Sequence, residues 1–272
     1  MRKTIVPVLL LAISMIACSK NDDETTVPAK KKYLTRIENS EDGSSTANIY
    51  TYQNGRFVSI TFTYNGEKDT VVYDAAGRAV NRYNISDTGI ALLDTYLYNS
   101  SGKLEKMLYT KAKFLHPEED IYYIPTFDNS GKIKVLESFQ VKNGVVNKGP
   151  VRQFTWNTDG NITELKVARY SNDTLQFNTI TRYTYDNKPN YHNKNLDPAY
   201  CLFGFNYIHL SKNNLLSETY ITLPEGKYDT YYTYYTYTYD SDGDIVTVLH
   251  ETKTNEEPRK KITTRLYKYE YQ

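Results

Sequence analysis

Gln153-Phe154-Thr155-Trp156-Asn157-Thr158-Asp159-Gly160-Asn161-Ile162-Thr163-Glu164-Leu165 reads as two strands meeting at a tight corner. Phe154 and Trp156 alternate with Thr155 on the way in, which puts the two aromatic rings on one face of a strand. Asn157 at the first turn position and Gly160 at the fourth suit a type I turn whose last residue takes positive φ. Glycine does this without a Cβ clash, closing a hairpin with a G1-type bulge.

The same unit recurs along the chain. It is present in shortened form at Tyr52-Gln53-Asn54-Gly55 and in full at Tyr73-Asp74-Ala75-Ala76-Gly77, Tyr98-Asn99-Ser100-Ser101-Gly102, Phe127-Asp128-Asn129-Ser130-Gly131 and Tyr239-Asp240-Ser241-Asp242-Gly243. Tyr185-Asp186-Asn187-Lys188-Pro189 is a degraded copy without its glycine. The turn glycines are thus Gly55, Gly77, Gly102, Gly131, Gly160 and Gly243. Aromatic markers at positions 73, 98, 127, 156 and 185 are 25, 29, 29 and 29 residues apart, and the 54 residues from 185 to 239 leave room for one more degenerate copy near Leu210 to Leu215. A fixed period of this size marks a repeated supersecondary unit.

Within a period, Lys132 to Val141 alternates as a strand, Lys142-Asn143-Gly144 signals a second turn, and Val151 to Trp156 returns to the next corner. Each repeat is a β-hairpin. The expected fold is all-β: one repetitive antiparallel hairpin meander over residues 33–272, with at most one short helix near 198–205, where Asp197 suits a cap and Pro198 a first turn. Phe62 and Tyr64, Phe154 and Trp156, Tyr183 and Tyr185, and Tyr237 and Tyr239 fall on one face, with Thr and charged residues on the other. About sixteen such strands would leave an aromatic face wet, so the sheet should be strongly twisted, rolled or two-layered.

Composition narrows the function classes. The 28 tyrosines against 9 phenylalanines and 1 tryptophan are amphipathic rings, apolar in body and hydrogen-bonding at the tip. Lys+Arg 33 against Asp+Glu 32 gives a net charge of +1 with both signs interspersed, which offers no basic stripe for nucleic acid. Of the two cysteines, Cys18 stands at the end of an apolar leader and Cys201 has no partner in the domain, so neither a disulfide framework nor a thiolate metal site is available.

Arg2 and Lys3, the apolar run Ile5 to Ile16 and the small Ala17 have the form of a bacterial secretory signal over residues 1–17. Ser14-Met15-Ile16-Ala17-Cys18 resembles the lipobox of bacterial lipoproteins, in which cleavage precedes a cysteine that is then acylated; Met15 stands where Leu is more common. Ser19-Lys20-Asn21-Asp22-Asp23-Glu24 resembles the acidic export signal that sends Bacteroidota lipoproteins to the cell surface. The resemblance implies lipid attachment at Cys18, a flexible tether over 18–32, and an outer-membrane location facing the exterior or, alternatively, the periplasm. The Tyr-Asp-x-x-Gly units, Tyr73 to Val80 above all, resemble YD repeats of the RHS type, which form β-sheet shells that in some toxins enclose a cargo. Leader, acidic stretch and repeats together resemble secreted Bacteroidota lipoproteins of unknown function that carry such repeats.

Motifs for chemistry are sparse. Asp240-Ser241-Asp242-Gly243-Asp244, with Glu251 twelfth from Asp240, has the look of a calcium loop. Its glycine stands fourth rather than sixth and a strand follows, so turn chemistry explains it. His116, His192, His209 and His250 have no zinc-binding spacing and read as isolated side chains. Glu118 and Glu119 beside His116 are adjacent loop acids, and neither a nucleophile elbow nor a phosphate loop is present. The expectation is therefore a non-enzyme without metal or cofactor. In the run Tyr231 to Tyr239, Tyr231, Tyr235, Tyr237 and Tyr239 share the core phase, whereas Tyr232 and Tyr234 point to the opposite face. Those two are the candidate ligand-binding residues, for a glycan or an envelope or host protein; a structural scaffold is the alternative role, and a hydrolase with an unrecognised site a more distant one. Replacing Cys18 by Ser should release the protein from membranes on fractionation; retention equal to wild type would contradict the anchor.

Overall fold

The computed structural model describes residues 31–41, 44–110, 119–192, 201–202, 206–224, 230–255, 258 and 260–271; the leader and Cys18 lie outside them. Sixteen strands run in order: β1 (Lys32–Glu41), β2 (Ser44–Gln53), β3 (Arg56–Phe62), β4 (Lys68–Tyr73), β5 (Ala79–Ser86), β6 (Gly89–Tyr98), β7 (Leu104–Tyr109), β8 (Glu119–Phe127), β9 (Ile133–Lys142), β10 (Val145–Trp156), β11 (Ile162–Ser171), β12 (Thr174–Pro189), β13 (Asn213–Thr222), β14 (Tyr231–Tyr239), β15 (Ile245–Lys253) and β16 (Lys260–Tyr271). Each pairs antiparallel with its sequence neighbours, and β1 also pairs with β16. The meander is thus rolled to full closure, as a barrel with no free edge.

Every aromatic-to-glycine corner lies on one rim, together with the start of β1 and the end of β16. At each full corner the side-chain oxygen of the first turn residue (Asp74, Asn99, Asp128, Asn157 or Asp240) accepts the backbone N–H four residues on at 2.9 to 3.0 Å. The glycine N–H bonds back to the carbonyl of that same residue. Glycine φ values run from +75° at Gly55 to +91° at Gly160. Gly55 differs in kind: with Asn54 it forms a two-residue type I′ turn, a form shared by Asn143-Gly144 and Asn172-Asp173 on the opposite rim.

The corners are also wired to one another. At four of the six turn glycines the residue that follows is basic and lies over the aromatic ring of the next corner: Arg56 over Tyr73 at 4.9 Å, Arg78 over Tyr98 at 4.7 Å, Lys103 over Phe127 at 4.5 Å and Lys132 over Trp156 at 5.4 Å. The polar tip of the ring donates to the carbonyl two residues past the preceding glycine. Tyr73 reaches Phe57 and Tyr98 reaches Ala79, both at 2.8 Å, and Trp156 Nε1 reaches Ile133 at 2.7 Å. Each stacked cation contributes ~0.5–1 kcal/mol and each hydrogen bond ~0.5–1.5 kcal/mol. A phenylalanine could fill the space but not satisfy the carbonyl, which accounts for the tyrosine bias at these positions.

The aromatic face lines the interior. Tyr50, Tyr52, Phe57, Tyr96, Tyr123, Phe154 and Val248 are buried there, with Tyr235, Tyr237, Tyr239, Tyr267 and Tyr269 packed against them. The outer wall carries ionised groups within its strands. Glu38 bonds Arg36 and Lys268, and Glu164 bonds Lys166 and Arg182. Lys106, Lys148 and Lys253 lie over the rings of Tyr122, Tyr170 and Tyr232. A lipid-facing barrel wall is an apolar band around a polar lumen; this wall instead mixes ion pairs with exposed apolar side chains such as Val72, Leu97 and Leu266, and the lumen is filled with aromatic rings on the plugged side.

Some sequence expectations fail at particular residues. Tyr64 is 65 % exposed because β3 ends at Phe62, whose N–H donates the closing bond of a turn to Glu67 O. Tyr231 keeps the inward phase but stands at the end of β14 beside Tyr220, beyond the packed core, and is 51 % exposed. The stretch near Leu210 to Leu215 is not another hairpin. A 3-10 turn, Tyr207–Leu210, leads directly into β13. Of the stretch expected to be helical, Cys201 and Leu202 have helical backbone and are buried, and the rest lies outside the described residues.

The described residues between β12 and β13 form a plug. Tyr191, Leu202 and Tyr207 belong to the core cluster, and the Tyr191 hydroxyl takes the Leu34 N–H inside the wall. Asn190 holds the two ends of the plug together, donating from Nδ2 to the Ile208 and Ser211 carbonyls at 3.1 Å. Ser211 donates to the Tyr185 hydroxyl at 2.9 Å and accepts the Ile162 N–H at 3.0 Å.

Two glycines separate backbone strain from packing. A Cβ at Gly131 (φ +82°) would meet nothing within 4 Å, whereas one at Gly77 (also φ +82°) would collide with the Arg56 guanidinium. Gly131→Ala should therefore cost only the left-handed strain, ~1–2 kcal/mol, and Gly77→Ala more, since it also dislodges Arg56 from Tyr73. Equal denaturation midpoints for the two variants would contradict the wiring of the corners.

Candidate functional site

Along several strands the inward residues change character from one rim to the other. On β1 they run Ile37, Asn39, Glu41; on β2, from the plugged rim outward, Tyr50, Asn48, Thr46; on β16, Tyr269, Tyr267, Arg265, Thr263. The apolar end packs on the plug. The polar end, together with Ile60 and Phe62 of β3, Asp69 of β4 and Arg82 of β5, lines a cavity of about 550 Å³ whose floor is His192, Asn206 and His209 of the plug. That volume lies within the range of small-molecule sites, ~300–1,000 Å³.

The floor is built around two histidines far apart in sequence. The rings of His192 and His209 have centroids 4.0 Å apart and are tilted by 37°. Burial pushes His192 down to about 4, with the positive charge of Arg265 as the second cause. Burial likewise takes His209 well below its ordinary value, followed by His192 and Arg265. His250 stacks on Tyr235 at 5.1 Å and is lowered by burial and then by Arg265. All three imidazoles are neutral at pH 7, each with one N–H to give and one nitrogen to accept.

One wall is a buried charge network. Arg82 pairs with Asp69 at 3.2 Å and, through Nε, with the fully buried Asp94, while Asn84 donates to Asp69 at 3.0 Å. Charges this deep persist only when so paired. Across the cavity Arg265 forms no ion pair among the described residues, and its Nε is buried without a partner. Its guanidinium does hydrogen-bond the Tyr267 hydroxyl.

Of the residues singled out from sequence, Tyr232 and Tyr234 lie on the outer wall, remote from this cavity in register. Both are partly buried: Tyr232 pairs with Lys253 across the sheet and donates to Asn255 at 3.3 Å, and Tyr234 pairs with Glu251. Asp240, Asp242 and Asp244 converge at the plugged rim on the ammonium of Lys32, at 2.8, 3.1 and 2.8 Å, and those contacts raise the lysine pKa. An ammonium thus occupies the centre of the carboxylates, tying the start of β1 to the β14–β15 turn. His116 and Glu118 lie outside the described residues, and Glu119 begins β8.

Sequence reasoning missed the histidine floor, because only barrel closure brings 192, 209 and 265 together. Two signals were available: the doubled spacing between 185 and 239, where an insert replaces a hairpin, and an arginine at 265 in the same phase as Tyr267 and Tyr269.

No protein-family model matches this sequence, and no curated protein matches it. Among solved structures, a porin-like protein from Bacteroides vulgatus ATCC 8482 is similar over 88 % of this chain and 99 % of its own, at 14 % identity and a TM-score of 0.54. A porin-like protein from Bacteroides uniformis ATCC 8492 is similar over 87 % and 96 %, at 13 % identity and a TM-score of 0.50. At this identity the likeness establishes the barrel fold.

The neutral histidines set a pH dependence. Unfolded imidazoles take up protons near pH 6.5, but folded His192 does so only at about 4. Between those values the unfolded chain binds more protons, so stability should fall as pH drops through this window. Urea midpoints at pH 7.5, 6 and 5 should decline, and His192→Gln should flatten the decline; a wild-type profile without slope would contradict the buried neutral pair.

Proposed function

We propose that this is a non-catalytic binding protein of the cell envelope that takes a small, hydroxyl-rich ligand of the carbohydrate class into the half-plugged barrel. The observation that carries the reading is the mixed lining of the cavity. Asn39, Asn48, Thr46, Thr263 and Asp69 offer donors and acceptors on several sides, while Tyr50 and Phe62 offer ring surface. Sugars are bound by that combination, with hydroxyls paired to amides and carboxylates and the apolar ring face laid on an aromatic.

Topology supports an orientation. The chain enters the barrel at Lys32 on the plugged rim, so a lipid on Cys18 sets that rim toward the bilayer and leaves the cavity on the side of the plug away from it. The charged wall fits a barrel that stands on the membrane rather than in it.

A second reading places recognition on the outer wall at Tyr232 and Tyr234, where rings on alternate residues of β14 stand beside Lys253 and could meet a glycan or a partner protein. The two readings separate by mutation. Asn48→Trp fills the cavity and should abolish calorimetric binding of a mono- and disaccharide panel with little change in melting temperature. Tyr232→Ala with Tyr234→Ala should leave that binding intact. Loss of binding in the tyrosine variant and retention in Asn48→Trp would move the site to the outer wall.

A further inference from the structure

We infer that the floor of the cavity is an oxyanion site, so that the ligand is an acidic rather than a neutral sugar, carrying a carboxylate or a sulfate ester at the end held by Arg265. This deepens the carbohydrate reading and rests on it for the sugar part alone.

The argument begins with the charges. The cavity has carboxylates in its wall, but Asp69 is bonded to Arg82 and Asn84, and Asp94 behind it to Arg82. Glu41 stands exposed at the far end of β1. Arg265 sits on the opposite side, bordering the cavity, with no ion pair among the described residues and with its Nε buried and unbonded. A half-buried guanidinium whose Nε is left in this state is costly, and an oxyanion that presents two acceptor oxygens matches its fork of donors. The side chains around it do not supply the missing charge. His192, His209 and His250 are neutral, and Arg265 itself contributes to keeping them so. Of these, His192 and His209 border the cavity with Arg265, and a neutral imidazole can donate an N–H to an anion. A metal ion on the histidine pair is disfavoured by the same guanidinium.

The two ends of the cavity then have complementary tasks. Arg265 and the histidines take the acid group, while Asn39, Asn48 and Asp69 take hydroxyls. The acid group selects which sugar enters.

The test uses four probes on residues 31–272: glucose, glucuronate, glucose 6-sulfate and inorganic sulfate. Affinities are read by calorimetry and the imidazole resonances of His192 and His209 by NMR. Glucuronate or glucose 6-sulfate should bind about tenfold tighter than glucose, the scale of one charge-assisted contact, and the better of the two identifies the acid. Arg265→Gln should erase the preference while leaving glucose affinity within about twofold, and Arg265→Lys should restore part of it. Sugar binding with no preference for the acids, or a preference that survives Arg265→Gln, overturns the oxyanion site and leaves the carbohydrate reading standing. Sulfate that shifts both histidines in wild type but not in Arg265→Gln, with no sugar binding, supports the site and sinks the carbohydrate reading. Silence from all four probes overturns both.

Discussion

The structure depends on the pairing of β1 with β16. Once that pairing closes sixteen strands into a ring, no sheet edge remains to be protected, but a new problem is created. Eight-stranded barrels are filled by their own side chains, whereas barrels of sixteen strands or so have room for a channel. A lumen of that size lined by aromatic residues must be filled or collapse. This chain fills it twice over, with tyrosines from nine of the sixteen strands and with the plug inserted between β12 and β13. The cavity above His192 and His209 is what the filling leaves. Its polar lining is therefore a consequence of position: where packing stops, the inward residues change from Tyr and Ile to Asn, Thr, Asp and Arg.

Closure also explains the regularity of the plugged rim. The corners on the plugged rim must hold a ring of hairpins in register without a sheet edge to adjust. A cation laid over the next ring links each turn to the next at every step from Arg56 to Trp156, and a ring tip on a carbonyl reinforces the link at Tyr73, Tyr98 and Trp156. The link across the seam is different in kind. Lys32 reaches from β1 into the three carboxylates of the β14–β15 turn, so the acidic character of that one corner belongs to closure. The corners on the other rim show no comparable relay among the described residues.

The hairpin repeat was legible because its signal is local. Asn157 and Gly160 declare a turn within four residues, Phe154 and Trp156 declare a face, and a fixed period repeats the statement until a sixteen-stranded antiparallel meander is the natural reading. That the meander rolls was legible too, from the need to cover an aromatic face. Closure itself was not, because the pairing of Lys32–Ser40 with Thr264–Tyr271 spans the length of the domain and leaves no local mark. The site depends on that closure and was hidden with it. His209 and Arg265 look like isolated polar residues until the barrel puts them beside the same cavity. Tyr232 and Tyr234 stood out because their phase is local information, and their phase is what the structure shows; what they bind is a separate matter.

The central claim is that this barrel differs from a membrane pore, because one half of its lumen is filled with aromatic rings and a plug and because ion pairs stand within the strands of its wall. The most direct measurement is the behaviour of residues 31–272, produced without the leader and purified with no detergent, by sedimentation and by liposome flotation and conductance. The account predicts a monodisperse folded protein that stays with the aqueous phase and passes no current. A protein that needs detergent to stay dispersed, or that inserts into the vesicles and conducts, would contradict it.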